Sequence, residues 1–175
     1  MKAIKPIKLI KIKTLAQVAE ISTQIKKAGK KAGLITGCFD VVHAGHVDLF
    51  RFAKKHCDLV IVGLDSDETI RINKGPNRPI HNIFQRKKVL AEFESVDLVF
   101  EIVEKMNWAT KEAENIYEQI YVKIKPNYLI TNPVADKFWQ LKESRAKING
   151  AKLLKDIQKK DTSTTQIIEK IAAEN

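Results

Sequence analysis

The sequence predicts a single α/β domain in which helices cover both faces of a central parallel sheet of about five strands. The chain has 175 residues, which is enough for one domain with a full core and too short for two domains of ordinary size. Short β-branched runs alternate along it with segments whose apolar residues recur at helical spacing. Apolar residues make up 44% of the chain and charged residues 30%, the balance of a globular protein.

The first half of the chain contains a helix followed by a strand–helix–strand unit. Residues 14–28 carry apolar side chains at helical spacing behind Thr14, a candidate N-cap. Residues 34–36 are predicted as a short buried strand, and a helical pattern starts at His46. The continuous apolar run at 58–65 is typical of a central parallel strand. The unit is therefore a βαβ crossover, which we expect to be right-handed.

The second half continues this alternation with no linker, internal repeat or low-complexity segment. The polar stretch 66–80 is predicted as a loop that begins with a turn of helix. The elements predicted after it are, in order, a helix at 84–95, a strand at 96–102, a helix at 108–124, strands at 127–131 and 150–157, and a closing helix at 162–174. We expect one Rossmann-like, doubly wound domain over 1–175, with an N-terminal helix and lead-in at 1–33 and an α/β core at 34–175.

The basic charge admits two kinds of partner. A net charge of +10 attracts polyanions, among them nucleic acid. The lysines are spread over the whole chain, however, and aromatic residues that could stack on bases make up only 7% of it. An enzyme that binds small anions explains the charge equally well, and we do not expect nucleic acid as the partner.

The sequence indicates neither a membrane segment nor a protein-bound metal. No apolar run approaches the ~20 residues that cross a bilayer, and lysines interrupt the N-terminal residues 1–15 where a secretory signal would need an apolar core. We therefore expect a cytoplasmic protein. The two cysteines, Cys38 and Cys57, belong to no CxxC or zinc spacing, so free thiols are expected.

The strongest functional signal is the stretch GCFDVVHAGH at residues 37–46. It lies where the first predicted strand turns into a helix, at the sheet edge where open α/β sheets bind ligands. Gly45 leaves room for a ligand to approach the backbone, and the helix N-terminus offers unpaired N–H groups and partial positive charge. His43 and His46 lie on one face of this turn, so both can donate to one anion, such as a nucleotide triphosphate.

Such an arrangement suits a reaction in which an α-phosphoryl group is attacked and pyrophosphate leaves. The protein then has to position the nucleophile and stabilise the growing negative charge. A metal pair and two ordinary surface histidines are the alternative interpretations. A metal is poorly supported, because the chain has only two other histidines, His56 and His81, and no carboxylate cluster at ligand spacing.

The stretch matches the GxFDxxHxGH signature of the nucleotidyltransferase superfamily that includes the class I aminoacyl-tRNA synthetases, and the chain most resembles its small cytidylyltransferase-like branch. The resemblance implies that His43 and His46 clamp the β- and γ-phosphates of an NTP. It also implies Mg²⁺ bound with the NTP, and a homodimer, which is common in this branch. The other nucleotide contacts that it implies in this stretch are Gly37, Cys38, Phe39, Asp40 and Gly45.

Several later segments resemble the adenylyltransferases that make ADP-heptose from heptose 1-phosphate. The likeness runs through LDSD, KGPNRPI and FQRKKVLAEFESVD to DTSTTQIIEKI. It implies phosphate contacts from Lys74 and Arg86, as catalytic residues beside the two histidines. It further implies nucleotide contacts from the cap of the closing helix, at Ser163, Thr164 and Thr165.

One segment departs from these ADP-heptose enzymes. LITNPVADKFW lacks the glycines and the acidic pair that follow their fourth strand, although Asp136, Lys137 and Trp139 come a few residues later. Because the corresponding segment helps to shape the nucleotide and acceptor pocket, both the base and the acceptor remain open.

A second segment resembles a different enzyme of the branch. EKMNWATKEAENI is similar to the acceptor-binding segment of glycerol-3-phosphate cytidylyltransferase, which implies acceptor contacts from Trp108 and Lys111. The arginine that those enzymes carry before the Ser-Thr-Thr helix is missing, and Lys159 and Lys160 are its only substitutes.

We therefore expect an enzyme that transfers a nucleotidyl group from an NTP, with ATP favoured, to a sugar phosphate such as heptose 1-phosphate, releasing pyrophosphate. The second hypothesis is a CTP-dependent cytidylyltransferase acting on glycerol 3-phosphate or another alcohol phosphate. The third is a nucleotide-binding or nucleic-acid-binding domain that has lost turnover, which the altered LITNPVADKFW segment and the basic charge suggest and the intact histidine pair opposes.

Overall fold

A five-stranded parallel sheet organises the part of the chain that the computed structural model describes, residues 11–158 and 162–173. The strands are β1 (Ala32–Gly37), β2 (Leu59–Asp65), β3 (Leu98–Ile102), β4 (Tyr128–Thr131) and β5 (Lys152–Lys155). They lie in the order β3-β2-β1-β4-β5, and every neighbouring pair is parallel. Because the order reverses between β1 and β4, the carboxyl ends of these two strands open a crevice where ligands bind in such sheets.

Helices cover both faces of this sheet. They are α1 (Leu15–Lys27), α2 (Ala44–His56), α3 (Asp67–Lys74), α4 (Ile83–Ala91), α5 (Lys111–Ile124), α6 (Trp139–Ile148) and α7 (Thr164–Ala173). Successive residues of β2 alternate between two apolar clusters, one including Ile61 with residues of α1 and α5, the other including Val60 and Val62 with residues of α2 and α4. Burial on both faces explains the uninterrupted apolar run of this strand.

The predicted Rossmann-like α/β fold is confirmed, with the five predicted strands in place. The ends of the elements differ by a few residues, because local caps set them. The helix predicted from residue 108 starts at Lys111, since the Thr110 hydroxyl accepts the N–H of Ala113 at 3.3 Å. None of the helices in the described ranges is long and apolar enough to cross a membrane.

Two segments differ more from their predictions. The stretch 66–80, predicted as a loop with one turn of helix, contains the longer helix α3, because the Ser66 hydroxyl caps it by accepting the N–H of Thr69 at 3.2 Å. Helix α6 was not predicted at all. Only Arg145 and Ala146 are buried along it, so its sequence has no apolar stripe that periodicity could detect.

Close packing around β1 yields a test of the fold. A Cβ added at Gly33 would lie 2.5 Å from the Cys57 sulfur and 2.7 Å from Ile130 Cδ1. We expect Gly33→Ala to lower the free energy of unfolding by ~1–3 kcal/mol, as overpacking does, measured by urea denaturation. The exposed Gln24→Ala is the control and should change it by less than ~0.5 kcal/mol. Wild-type stability of Gly33→Ala would contradict the packing described for β1.

Candidate active site

A cleft of about 330 Å³ lies at the carboxyl edge of the sheet, where β1 and β4 diverge. The turn Gly37–Asp40 forms one side of it, and residues that follow β4, including Asn132 and Asp136, form another. The predicted motif and the segment that departs from the ADP-heptose enzymes therefore face the same cavity.

The two histidines of the motif lie together, as their spacing predicted. His43 is the N-cap of α2, and its backbone N–H donates to His46 Nδ1 at 3.3 Å. The two ring centroids are 3.9 Å apart, and His46 lines the cleft whereas His43 packs against the His46 ring without lining it. Because Nδ1 of His46 accepts this hydrogen bond, the neutral imidazole carries its proton on Nε2, which makes Nε2 a donor.

The turn before the histidines is fixed by a buried carboxylate. The Asp40 side chain is 1% exposed and accepts from Arg78 Nε at 2.7 Å, from the N–H of Ile80 at 3.0 Å and from the N–H of His81 at 2.9 Å. Burial alone would raise the pKa of this carboxyl, but the hydrogen bonds from His81, Ile80 and Arg78 lower it below its ordinary value. Phe39, just before it, has a left-handed φ of 47°. The Asp40 carboxylate thus holds a loop in place. Asp40 also lines the cleft, and the nucleotide contact expected of it stays a prediction.

Arg86 is the clearest correction to the sequence predictions. Its side chain is fully buried and donates to four acceptors: Nε to the carbonyl of His81 at 3.0 Å, one terminal nitrogen to the carbonyls of Cys38 at 2.7 Å and Asp65 at 2.9 Å, and the other to Asp67 Oδ1 at 2.6 Å. Most of the five N–H donors of a guanidinium are therefore used inside the protein. Arg86 joins the elements around the cleft and does not reach into it as a phosphate ligand.

Lys74 and Trp108 both line the cleft, and the phosphate and acceptor contacts expected of them stay predictions. Lys74 ends α3, and its Nζ lies 6.0 Å from the centroid of the Trp108 ring. Asn73 links the two segments, because its side-chain oxygen accepts a hydrogen bond from the backbone N–H of Trp108 at 3.0 Å. Lys111, the other predicted acceptor contact, is exposed at the start of α5 and does not line the cleft.

The closing helix contributes one of its three predicted residues. The Thr164 side chain lines the cleft and donates to the carbonyl of Val41 at 3.0 Å, which brings the N-terminus of α7 close to the motif. Ser163 acts as the cap, because its Oγ accepts the N–H of Gln166 at 3.2 Å, and Thr165 is exposed. Lys159 and Lys160 lie outside the described residues.

The structure also brings polar side chains to the cleft that the sequence reasoning missed. Tyr117 and Arg145 line it, with the guanidinium carbon of Arg145 5.4 Å from the centroid of the Tyr117 ring. Lys142 lines it as well, held by Asp136 Oδ2 at 2.7 Å and by the carbonyl of Thr36 at 3.3 Å. Nothing in the local sequence marks these residues, since they come from α5 and from the unpredicted α6.

Cys38 lines the cleft beside these groups. Burial, followed by the nearby Asp65 carboxylate, raises the pKa of the Cys38 thiol to about 12. The thiol therefore stays protonated at neutral pH, which argues against a role as a nucleophile.

Comparison with protein families and curated proteins places this geometry in context. A family described as cytidylyltransferase-like matches residues 34–170. The bifunctional protein HldE of Aliarcobacter butzleri is 36% identical over 119 residues, covering 68% of this chain and 23% of that protein. HldE of Mesorhizobium japonicum is 46% identical over 74 residues, 42% of this chain and 15% of that protein. The chain thus spans less than a quarter of the length of either relative.

Two solved structures share the fold. A lipopolysaccharide core biosynthesis protein from Thermoplasma volcanium matches with a TM-score of 0.59 at 24% identity, over 76% of this chain and 100% of that chain. A pantoate-beta-alanine ligase from Francisella tularensis, crystallised with an ATP compound and beta-alanine, matches with a TM-score of 0.62 at 19% identity, over 93% of this chain and 76% of that chain. At these identities the likeness concerns the fold alone.

The buried position of Arg86 generates a prediction about stability. Replacing the buried guanidinium by methionine leaves the half-buried Asp67 carboxylate and three carbonyls without their donor. We therefore expect Arg86→Met to lower the free energy of unfolding by ~3–5 kcal/mol. Urea denaturation measures this, with the exposed Lys88→Met on the same helix as the control. A variant that keeps wild-type stability but no longer binds nucleotide would restore the phosphate-binding role.

Proposed function

The chain belongs to the cytidylyltransferase-like family of nucleotidyltransferases, and on that premise we propose that it transfers a nucleotidyl group from ATP to the phosphate of a sugar phosphate such as heptose 1-phosphate. The observation that carries the proposal is the position of His46. It lines the cleft at the N-terminus of α2, with Nδ1 held by a backbone N–H. Its Nε2 then carries the proton and serves in this proposal as a hydrogen-bond donor to phosphate.

The electrostatics of the cleft suit a triphosphate. The N-termini of α2 and α7 approach each other through the Thr164–Val41 hydrogen bond of 3.0 Å. Each helix N-terminus carries partial positive charge and unpaired N–H groups, so a polyanion between them is stabilised from both sides. Lys74 adds a full positive charge on the cleft wall.

The proposed reaction needs no covalent intermediate on the protein. An oxygen of the acceptor phosphate attacks the α-phosphorus of the NTP, a new phosphorus–oxygen bond forms, and the bond between the α-phosphorus and the bridging oxygen breaks. Pyrophosphate leaves with that oxygen. His46 and Lys74 stabilise the charge that develops, and the cleft holds the two substrates in line.

Mg²⁺ is proposed to arrive with the nucleotide. Within the described ranges there is no group of three or more His, Cys, Asp or Glu side chains that could hold a metal ion. We propose that the ligands of the cation are chiefly phosphate oxygens and water, which Mg²⁺ prefers. When bound, the ion neutralises phosphate charge. The homodimer and the cytoplasmic location stay predictions from the family resemblance and the sequence.

The part of the cleft lined by Trp108, Tyr117 and Phe138, where we propose that the acceptor binds, favours an anion. Three aromatic rings line it, and each already faces a cation of the protein: Lys74 at Trp108, Arg145 at Tyr117 and, at 5.0 Å from the ring centroid, Lys137 at Phe138. A cationic head group would compete with these pairs for the same ring faces. A phosphate instead meets positive charge.

The CTP-dependent alternative keeps one specific observation in its favour. Trp108 lines the cleft, as the resemblance to glycerol-3-phosphate cytidylyltransferases implies. Lys111, which the same resemblance pairs with it, is exposed and lies off the cleft. The glycerol 3-phosphate reaction is therefore the second candidate.

A pyrophosphate-release assay with Mg²⁺ tests the reaction and its substrates together. ATP and CTP are crossed with heptose 1-phosphate, glycerol 3-phosphate and phosphocholine, and we expect turnover with ATP and heptose 1-phosphate. Turnover only with CTP and glycerol 3-phosphate would establish the second candidate. Nucleotide binding with no pyrophosphate from any pair would contradict the proposed reaction with these acceptors and favour a domain that has lost turnover.

The role of His46 is tested by His46→Ala. Loss of one donor to a developing oxyanion lowers kcat by ~10²–10³, and we expect this loss with little change in the circular dichroism spectrum. His56→Ala provides a matched control, because His56 is an exposed histidine at the other end of the same helix. Near-normal turnover of His46→Ala would remove this histidine from the mechanism.

A further inference from the structure

A buried carboxylate lies in the wall of the cleft, and none of the contacts described so far explains it. Asp65 is the last residue of β2, and only 2% of its surface is exposed, yet it lines the cavity. Its backbone carbonyl accepts from Arg86 at 2.9 Å, so the residue is anchored to the framework around the motif. The side chain is therefore held at the cleft in a fixed position.

The two carboxylate oxygens of Asp65 have different surroundings. Oδ1 accepts from the Tyr117 hydroxyl at 2.8 Å. Oδ2 has the Cys38 sulfur at 3.8 Å, and a thiol is a weak donor. Since each carboxylate oxygen can accept about two hydrogen bonds, Oδ2 keeps the capacity to accept one from a molecule in the cleft.

Holding a carboxylate in this place costs stability. Burial raises the pKa of Asp65, against the opposing effects of the Tyr117 hydroxyl and of the Lys142 and Arg86 charges. Burial likewise raises the pKa of Tyr117 well above its ordinary value, so its hydroxyl remains a donor at neutral pH. A desolvated carboxylate with a specific partner in a ligand cleft is a candidate functional group.

We propose that Asp65 recognises a hydroxyl group of the acceptor. Its Oδ2 accepts a hydrogen bond from that hydroxyl, and Tyr117 holds the carboxylate in position. The inference rests on the proposed function and adds the requirement that the acceptor carries a free hydroxyl group. Lys74, Lys142 and Arg145 line the same cavity and supply positive charge for the acceptor phosphate, while Asp65 binds a free hydroxyl. The acceptor class is then a phosphate ester of a polyol or sugar, and a phosphate ester without that hydroxyl is a poor substrate.

A substrate series combined with one substitution tests this role. Isothermal titration measures binding of heptose 1-phosphate and of its single-deoxy analogues to the wild-type chain in the presence of Mg²⁺ and an ATP analogue that cannot be cleaved between the α- and β-phosphates. Pyrophosphate release with ATP measures kcat/KM for the same acceptors. We expect one analogue to lose ~10²-fold against the parent, because a site built to bind a hydroxyl is left unpaired without it. In Asp65→Ala the ratio between the parent acceptor and that analogue should fall below ~3-fold. The two changes form a double-mutant cycle, in which groups that contact each other are not additive.

Two controls separate this role from a structural one. Glu112→Ala removes an exposed carboxylate of α5 and should leave the parent-to-analogue ratio unchanged. Tyr117→Phe removes the tether but keeps the carboxylate, so it should reduce the ratio by ~3–10-fold. It also serves as the test if Asp65→Ala does not fold.

The outcomes distinguish this inference from the proposed function. An Asp65→Ala variant that retains the full ratio, or a wild-type chain that binds the parent and every analogue alike, would overturn the role of Asp65. The same holds if the substitution changes discrimination between ATP and its deoxyribose analogues, because the hydroxyl read would then belong to the nucleotide. Absence of pyrophosphate release would instead count against the proposed reaction, and the titration would still decide what Asp65 binds.

Discussion

The arrangement of the cleft depends on one buried cation. The Arg86 guanidinium bonds to the turn after β1 through Cys38, to the end of β2 through Asp65, to the loop after α3 through His81, and to α3 itself through Asp67. A buried charge is tolerated only when its hydrogen bonds are satisfied, and leaving any of them unmade is costly. Because all four acceptors come from different segments, the requirement to satisfy this one group fixes their relative positions.

The Asp40 carboxylate complements this cation from the other side of the same turn. Its hydrogen bonds to Arg78, Ile80 and His81 fasten the loop that follows α3, and His81 also bonds to Arg86 through its carbonyl. The turn between them places Phe39 in a left-handed conformation, which persists only where the surroundings determine it. Two buried ions of opposite sign thus hold rigid the segment that carries the motif into α2.

The cleft built on this framework combines two groups of residues with different chemistry. Helix N-termini and His46 converge at the motif, where backbone dipoles and an imidazole N–H donor suit a chain of phosphates. Aromatic rings paired with cations also line the cleft, together with the Asp65 carboxylate at the end of β2. The proposed preference for a sugar or polyol phosphate over a simple anion rests on these positive charges and on the Asp65 carboxylate as a hydrogen-bond acceptor.

The sequence by itself determined the features that local geometry controls. The order of the five strands and of the described helices other than α6 followed from apolar periodicity and turn signals. The pairing of His43 with His46 followed from a spacing of three residues in one helical turn. Helix caps such as Ser163 could also be predicted from the sequence, since the capping residue and the N–H that it binds are close in the chain.

Only the tertiary structure decided which charged groups are buried and which face the cleft. Among 31 lysines and arginines, nothing local marks Arg86 as internal, because its partner Cys38 lies 48 positions away. The contacts of Asp65 with Tyr117 and of Lys142 with Thr36 span 52 and 106 positions. Such pairs form when packing brings distant segments together. Once a charged side chain is buried it has to be paired, because an unpaired buried charge is costly, and this pairing holds it in place at the site.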